Sequence, residues 1–187
     1  MSKILILLLA YLACTLAVYG NKGACKTGNY TDVNVDWSRY LGKWYNVAVS
    51  KSFLFSEPSD QCTTANYSLN TDGTVNVDNE AIKKTGELSK AIGTAKIVSP
   101  GHLKVSFSKF QPFGGNYEVV YIDNDYSIAT VVGCNGLSFL GFSDVWILAR
   151  DYKVSHKQIS LALLAAAEQG FDISDVNLAG IAACDRL

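Results

Sequence analysis

From Trp44 onward the chain alternates apolar and polar residues with period two, in short runs broken by Gly, Asn, Asp and Pro. The pattern predicts eight strands, at residues 43–50, 61–69, 74–80, 87–98, 103–108, 116–123, 126–133 and 144–150. Asn70-Thr71-Asp72-Gly73 carries an Asp-Gly hairpin signal, and Asp123-Asn124-Asp125 serves the same purpose between the sixth and seventh strands. Eight strands joined by tight turns predict an all-β fold, an up-and-down antiparallel barrel whose closure leaves no open edge. The period then changes. Ser155 is the expected N-cap of a helix running to about residue 169, with Gly170 as its stop. Ile159, Leu161, Ala162, Leu163, Leu164 and Ala166 give that helix a broad apolar face, and the barrel wall is the surface available to receive it. A short strand is expected near residues 176–178.

Alternation also assigns faces. A glycosylated Asn66 points outward, which turns Thr63, Ala65, Tyr67 and Leu69 inward. By the same parity Val75, Val77 and Asn79 share one face, as do Leu103, Val105 and Phe107, then Tyr117, Val119 and Tyr121, and finally Asp144, Trp146 and Leu148. The first strand resists: Trp44 has the parity of Asn46 and Ser50, while Val47 and Val49 take the other face. A bulge would resolve the conflict.

Composition changes this picture at the N-terminus. Lys3, the apolar run at residues 4–18 and Val18-Tyr19-Gly20 have the form of a signal peptide cut after Gly20, leaving a domain over 21–187. The run is short for a bilayer span, the alternative being an N-terminal anchor. A net charge of -1 points away from nucleic acid. Of five cysteines, Cys14 leaves with the signal peptide; Cys25, Cys62, Cys134 and Cys184 form an even, widely spaced set, which reads as two disulfides in a secreted protein and leaves three pairings open. Asn29 and Asn66 head glycosylation sequons. His102 and His156 are the only histidines; neither stands near a nucleophile pattern, so no enzyme, catalytic residue or metal site is expected, and a haem carrier would need an inward axial histidine.

Gly42-Lys43-Trp44-Tyr45 follows the short turn Trp37-Ser38-Arg39-Tyr40-Leu41. This resembles the G-x-W motif of the lipocalins, in which a short 3₁₀ turn closes the barrel floor. Asp123-Asn124-Asp125-Tyr126 resembles the second lipocalin motif. Arg150, after Trp146-Ile147-Leu148-Ala149, resembles the third. The resemblance implies structural roles for Gly42, Trp44, Asp125, Tyr126 and Arg150, with the arginine lying across Trp44. Cys62-Thr63-Thr64-Ala65-Asn66-Tyr67-Ser68-Leu69 is most similar to the branch holding apolipoprotein D, the bacterial outer-membrane lipocalins and insect bilin-binding proteins. That branch implies Cys25–Cys134 and Cys62–Cys184 disulfides, and an Asn79 that faces the ligand. Two positions depart from it: Glu118 stands where those relatives often have Trp, and Asp144 has no acidic counterpart in the bilin binders.

The expected ligand-binding set is Tyr67, Val77, Asn79, Val105, Phe107, Tyr117, Val119, Tyr121, Asp144, Trp146 and Leu148: apolar and aromatic walls with sparse polar groups. For each the plain reading is barrel core, and for Asp144 a solvated strand start. Asn79 and Asp144 tip the balance, because a sealed core would not bury them unpaired. With the resemblance, this predicts a secreted binding and transport protein for a small hydrophobic molecule, with bound biliverdin or a carotenoid ahead of fatty acid, sterol or retinoid, and no required cofactor. Phe53-Leu54-Phe55 and residues 137–142, with Phe139, Leu140 and Phe142, are apolar loops at the expected open end. They read as a lid, or as a surface for lipid, a protein or a second copy around Phe55 and Phe139. The alternative function is therefore a protein-interaction or self-associating barrel.

Overall fold

The computed structural model describes residues 33–50, 60–107, 114–133 and 143–187. One helical turn, α1 (Trp37–Tyr40), is capped by Asp36, whose carboxylate accepts from the Ser38 amide and hydroxyl. It is α-helical, where the family resemblance implied a 3₁₀ turn. Eight strands follow: β1 (Gly42–Ser50), β2 (Cys62–Leu69), β3 (Val75–Ile82), β4 (Leu88–Ser99), β5 (His102–Ser106), β6 (Gly115–Ile122), β7 (Ile128–Gly133) and β8 (Asp144–Ala149). Then come helix α2 (His156–Glu168), β9 (Val176–Leu178) and a 3₁₀ turn at Cys184–Arg186. Each barrel strand is antiparallel to the next, and β1 closes the sheet by pairing with both β2 and β8.

One end of the barrel is built from short turns. Gly73, at φ 81°, completes the β2–β3 hairpin. The β6–β7 turn is held by Asp123, whose carboxylate accepts from the Ser127 and Ile128 amides and the Ser127 hydroxyl. Asp125, the acid singled out from the sequence, is exposed. The stabilising carboxylate stands two residues earlier.

Two bulges decide which side chains face inward. In β1 the register shifts between Asn46, opposite Leu148, and Ala48, opposite Ile147. Trp44 and Asn46 therefore point inside, Val47 and Ala48 both pack under α2, and Val49 returns opposite Trp146. The bulge resolves the parity conflict and lets β1 leave β2 after Tyr45 and take up β9. In β6 the shift lies between Val119 and Tyr121. Val119 packs in the barrel interior, whereas Val120 and Tyr121 both join the outer layer beneath α2. Tyr121 is thus not a calyx residue: strict alternation put it inside, and the extra residue of the bulge turned it out.

Helix α2 starts on a capping box formed by Ser155 and Gln158. It buries Ile159, Ala162 and Ala166 on the wall, and the Thr130 hydroxyl donates to the Ala162 carbonyl across the contact. Leu161 and Leu164 remain half exposed, so the packed face is narrower than the apolar one. Cys62 of β2 is bonded to Cys184, tying the tail to the barrel. Cys25, Cys134, Asn29, the N-terminal apolar run and both apolar loops lie outside the described residues; Asn66 is exposed on the outer face of β2.

Candidate functional site

The closed end is built around Trp44, which is fully buried and donates its indole N–H to the Tyr40 carbonyl at 2.7 Å. The Arg150 guanidinium lies 3.9 Å from the centre of the Trp44 ring. Its nitrogens donate to the carbonyls of Arg39, Tyr40, Leu41, Lys43 and Tyr126. A planar, always-charged group with five donors suits that fan of acceptors, while its π-face contact covers the indole. Gly42 sits at φ 94°, where a Cβ would come within 3.4 Å of the same guanidinium. Tyr126, also at positive φ, accepts from the Asp36 amide through its hydroxyl and stacks under Arg39. Gly42, Trp44, Tyr126 and Arg150 thus seal the floor.

Directly above it, three phenols meet. The Tyr117 hydroxyl shares hydrogen bonds with those of Tyr40 at 2.7 Å and Tyr67 at 2.9 Å. Burial raises all three pKa values, Tyr67 to about 12 and the other two well above the usual phenol value. Three hydroxyl protons serve two hydrogen bonds, so the cluster keeps one donor in reserve.

Higher up, the inner wall is apolar and incompletely closed. Val77, Leu103, Val119, Val131 and Leu148 are buried, but Ala65, Val105, Tyr117 and Trp146 are only half buried although they face the barrel axis. Phe107, past the end of β5, is 39% exposed. Interior side chains that water reaches mark a calyx rather than a packed core. Two glycines make room for its aromatic walls. A Cβ on Gly93 would lie 2.8 Å from the Phe107 ring, and one on Gly133 2.7 Å from the Trp146 ring. Each ring therefore packs onto a neighbouring strand in the space that a side chain would fill.

Polar groups are few. Asn79 stands opposite Ala65 on the inner face, and its side-chain carbonyl is buried without a hydrogen-bond partner. Asn46, 7% exposed and opposite Leu148, presents a second such carbonyl. Asp144 is buried on the face of Trp146 and Leu148. Of the residues expected from sequence, the structure brings Tyr67, Val77, Asn79, Val105, Phe107, Tyr117, Val119, Asp144, Trp146 and Leu148 to the interior face and excludes Tyr121. Sequence reasoning missed Asn46, Tyr40 and the two glycines. The unresolved parity of β1 was the available signal for Asn46. His102 lies on the outer face, 3.3 Å from Glu118 and 3.1 Å from Asn116, away from the calyx.

A family model described as a lipocalin-like domain matches residues 35–179. Outer membrane lipoprotein Blc of Citrobacter freundii is 35% identical over 145 residues, 75% of this chain and 76% of that protein. Apolipoprotein D of Cavia porcellus is 29% identical over 155 residues, 81% of this chain and 79% of its own. Among solved structures, the cockroach allergen Per a 4 superposes with a TM-score of 0.66 at 16% identity, covering 84% of this chain and 96% of that one.

Proposed function

The chain belongs to the lipocalin family, whose members bind small hydrophobic ligands, and from that premise we propose that it is a secreted carrier of one such molecule. The observation that carries the reading is the half-open aromatic interior of Val105, Tyr117, Trp146 and Phe107 above a sealed floor. Apolar walls of this kind supply affinity, and sparse polar groups fix orientation. A pigment, biliverdin or a carotenoid, is placed ahead of fatty acid, sterol or retinoid, because a wall holding the Trp146 and Phe107 rings suits an extended conjugated system. Secretion is supported by the N-terminal pattern of Lys3 and residues 4–18, and by the Cys62–Cys184 disulfide, which belongs to oxidising compartments. Lipocalins are in general binding and transport proteins, and a non-enzymatic role is proposed here too.

Protein purified from its source, read by absorption spectroscopy and native mass spectrometry, tests the reading. A visible band that leaves with organic extraction supports a pigment. A colourless protein that releases a lipid keeps the carrier function and removes the pigment. Apoprotein alone, whose tryptophan emission no hydrophobic molecule quenches, overturns the carrier reading.

A further inference from the structure

We infer that the outward stripe of helix α2 is a contact surface for a second copy of this chain, the two helices packing antiparallel about a two-fold axis. Lys157, Leu161, Leu164 and Glu168 follow one another at helical spacing. At about 100° per residue they fall in one stripe about 60° wide, opposite the face of Ile159, Ala162 and Ala166 that packs on the barrel wall. All four are exposed, each leucine by 51%.

Two exposed leucines name no partner by themselves. The order of the charges does. A helix favours acidic side chains in its first turn and basic ones in its last; α2 has neither, and its stripe carries the reverse, Lys157 at the N-terminal end and Glu168 at the C-terminal end. Against its own dipole, each charge stands at the wrong end. Against an antiparallel copy, each stands at the right one: Lys157 meets Glu168 of the second copy at that helix's C-terminus, and Glu168 meets Lys157 of the second copy at its N-terminus. Among the described residues, neither side chain has an ion-pair partner within its own chain.

The leucines have the same symmetry. Leu161 with Leu164, and Lys157 with Glu168, share one midpoint between Ala162 and Leu163. A two-fold axis at that point sets Leu161 against Leu164 of the second copy and closes both charge pairs at once. Ser160 and Ala165 flank the stripe, and such small side chains let the axes approach to the short end of the usual range of about 8–10 Å. Because the stripe faces away from the wall, the two barrels lie on the outer sides of the helix pair. One 13-residue helix from each chain makes a seam smaller than the roughly 800 Å² per partner of a standard interface, so the dimer is weak and forms at high concentration.

Sedimentation equilibrium of the folded protein from about 10 μM to about 1 mM, the range of weak association, tests the inference. The average mass should rise with concentration toward that of two chains. Lys157→Glu and Glu168→Lys should each weaken association about tenfold, because each turns two attractive contacts into repulsive ones. Both reversals put charge where the helix dipole favours it, so neither variant should melt below the parent. The double variant Lys157→Glu, Glu168→Lys should associate as the parent does. An equimolar mixture of the two single variants should form a mixed dimer, since its charge pairs are again opposite. A monomer throughout the range overturns the inference, as does association that the single reversals leave unchanged or that the double variant fails to restore. A monomer that instead binds phosphatidylcholine vesicles, and releases them on Leu164→Ser, also overturns it and assigns the stripe to lipid.

Discussion

Buried phenols and a half-buried guanidinium both belong to the barrel floor, and they respond to pH in different ways. Arg150 stays charged throughout the accessible range, its fan of carbonyls and the Trp44 face replacing the water it gives up. The phenols do titrate. Burial raises Tyr67 to about 12, so the folded chain holds that proton more tightly than the unfolded chain, which ionises near 10. The sign follows. The contribution is complete below pH 10 and is lost as pH rises through 12, about 2–3 kcal/mol from Tyr67 alone. Denaturant unfolding across that window should show stability flat to about pH 10 and then falling, and Tyr67→Phe should shallow the fall. A phenolate absorbance that develops fully near pH 10 in the native protein, with no loss of stability, would sink the account.

Element existence was legible because it rests on local pattern. Eight alternating runs, an Asp-Gly turn and a Ser155–Gln158 capping box each state their structure within a few residues. The bulges were not. A bulge inserts one residue without a composition of its own, and its position depends on which neighbouring strand the chain must reach. In β1 the need to leave β2 for β9 sets it, and the parity conflict announced a bulge without its consequence for Asn46. In β6 nothing local distinguishes Val119-Val120-Tyr121 from plain alternation, so Tyr121 was assigned to the wrong face. The glycines are a middle case: Gly133 ends an apolar strand, and only the barrel shows that the Trp146 ring occupies the space of its absent side chain. Gly133→Ala should therefore push that ring off the wall into the calyx. The expected outcome is a loss of roughly 1–3 kcal/mol in stability and a changed tryptophan band in near-ultraviolet circular dichroism. An unchanged band and melting point would mean that the ring moves freely, and that its seat over Gly133 is not a fixed part of the site.

Across the whole molecule, a ligand barrel is short of the interior packing that a filled core of its size would have, because the calyx occupies that space. Part of the shortfall is offset at the closed end by the floor cluster, and part on the outside by α2. The tail supplies a third contribution. Cys184 reaches back 122 residues to Cys62, and around it Ile82, Ala183 and the bonded cysteines form a small buried cluster. Lys43 donates to the Leu187 carbonyl, and Tyr152 to Asp185, so the tail also braces the first strand and the segment before α2. A crosslink closing so long a loop restricts the unfolded chain, which the loop-entropy relation places at about 4–5 kcal/mol before any native strain is subtracted. The Cys62→Ala, Cys184→Ala double variant should accordingly lose several kcal/mol in urea unfolding while keeping its barrel circular dichroism. Its C-terminal segment should become the first site of proteolytic nicking, because what then holds the tail is a small apolar cluster and a few hydrogen bonds, two of them exposed. A loss under about 1 kcal/mol would show that the unfolded chain is already constrained in that region and that loop entropy is the wrong explanation. Non-reducing peptide mapping of the intact protein completes the test: Cys62–Cys184 should be recovered with Cys25–Cys134 beside it. Recovery of Cys25 as a free thiol would leave the barrel with one staple instead of two.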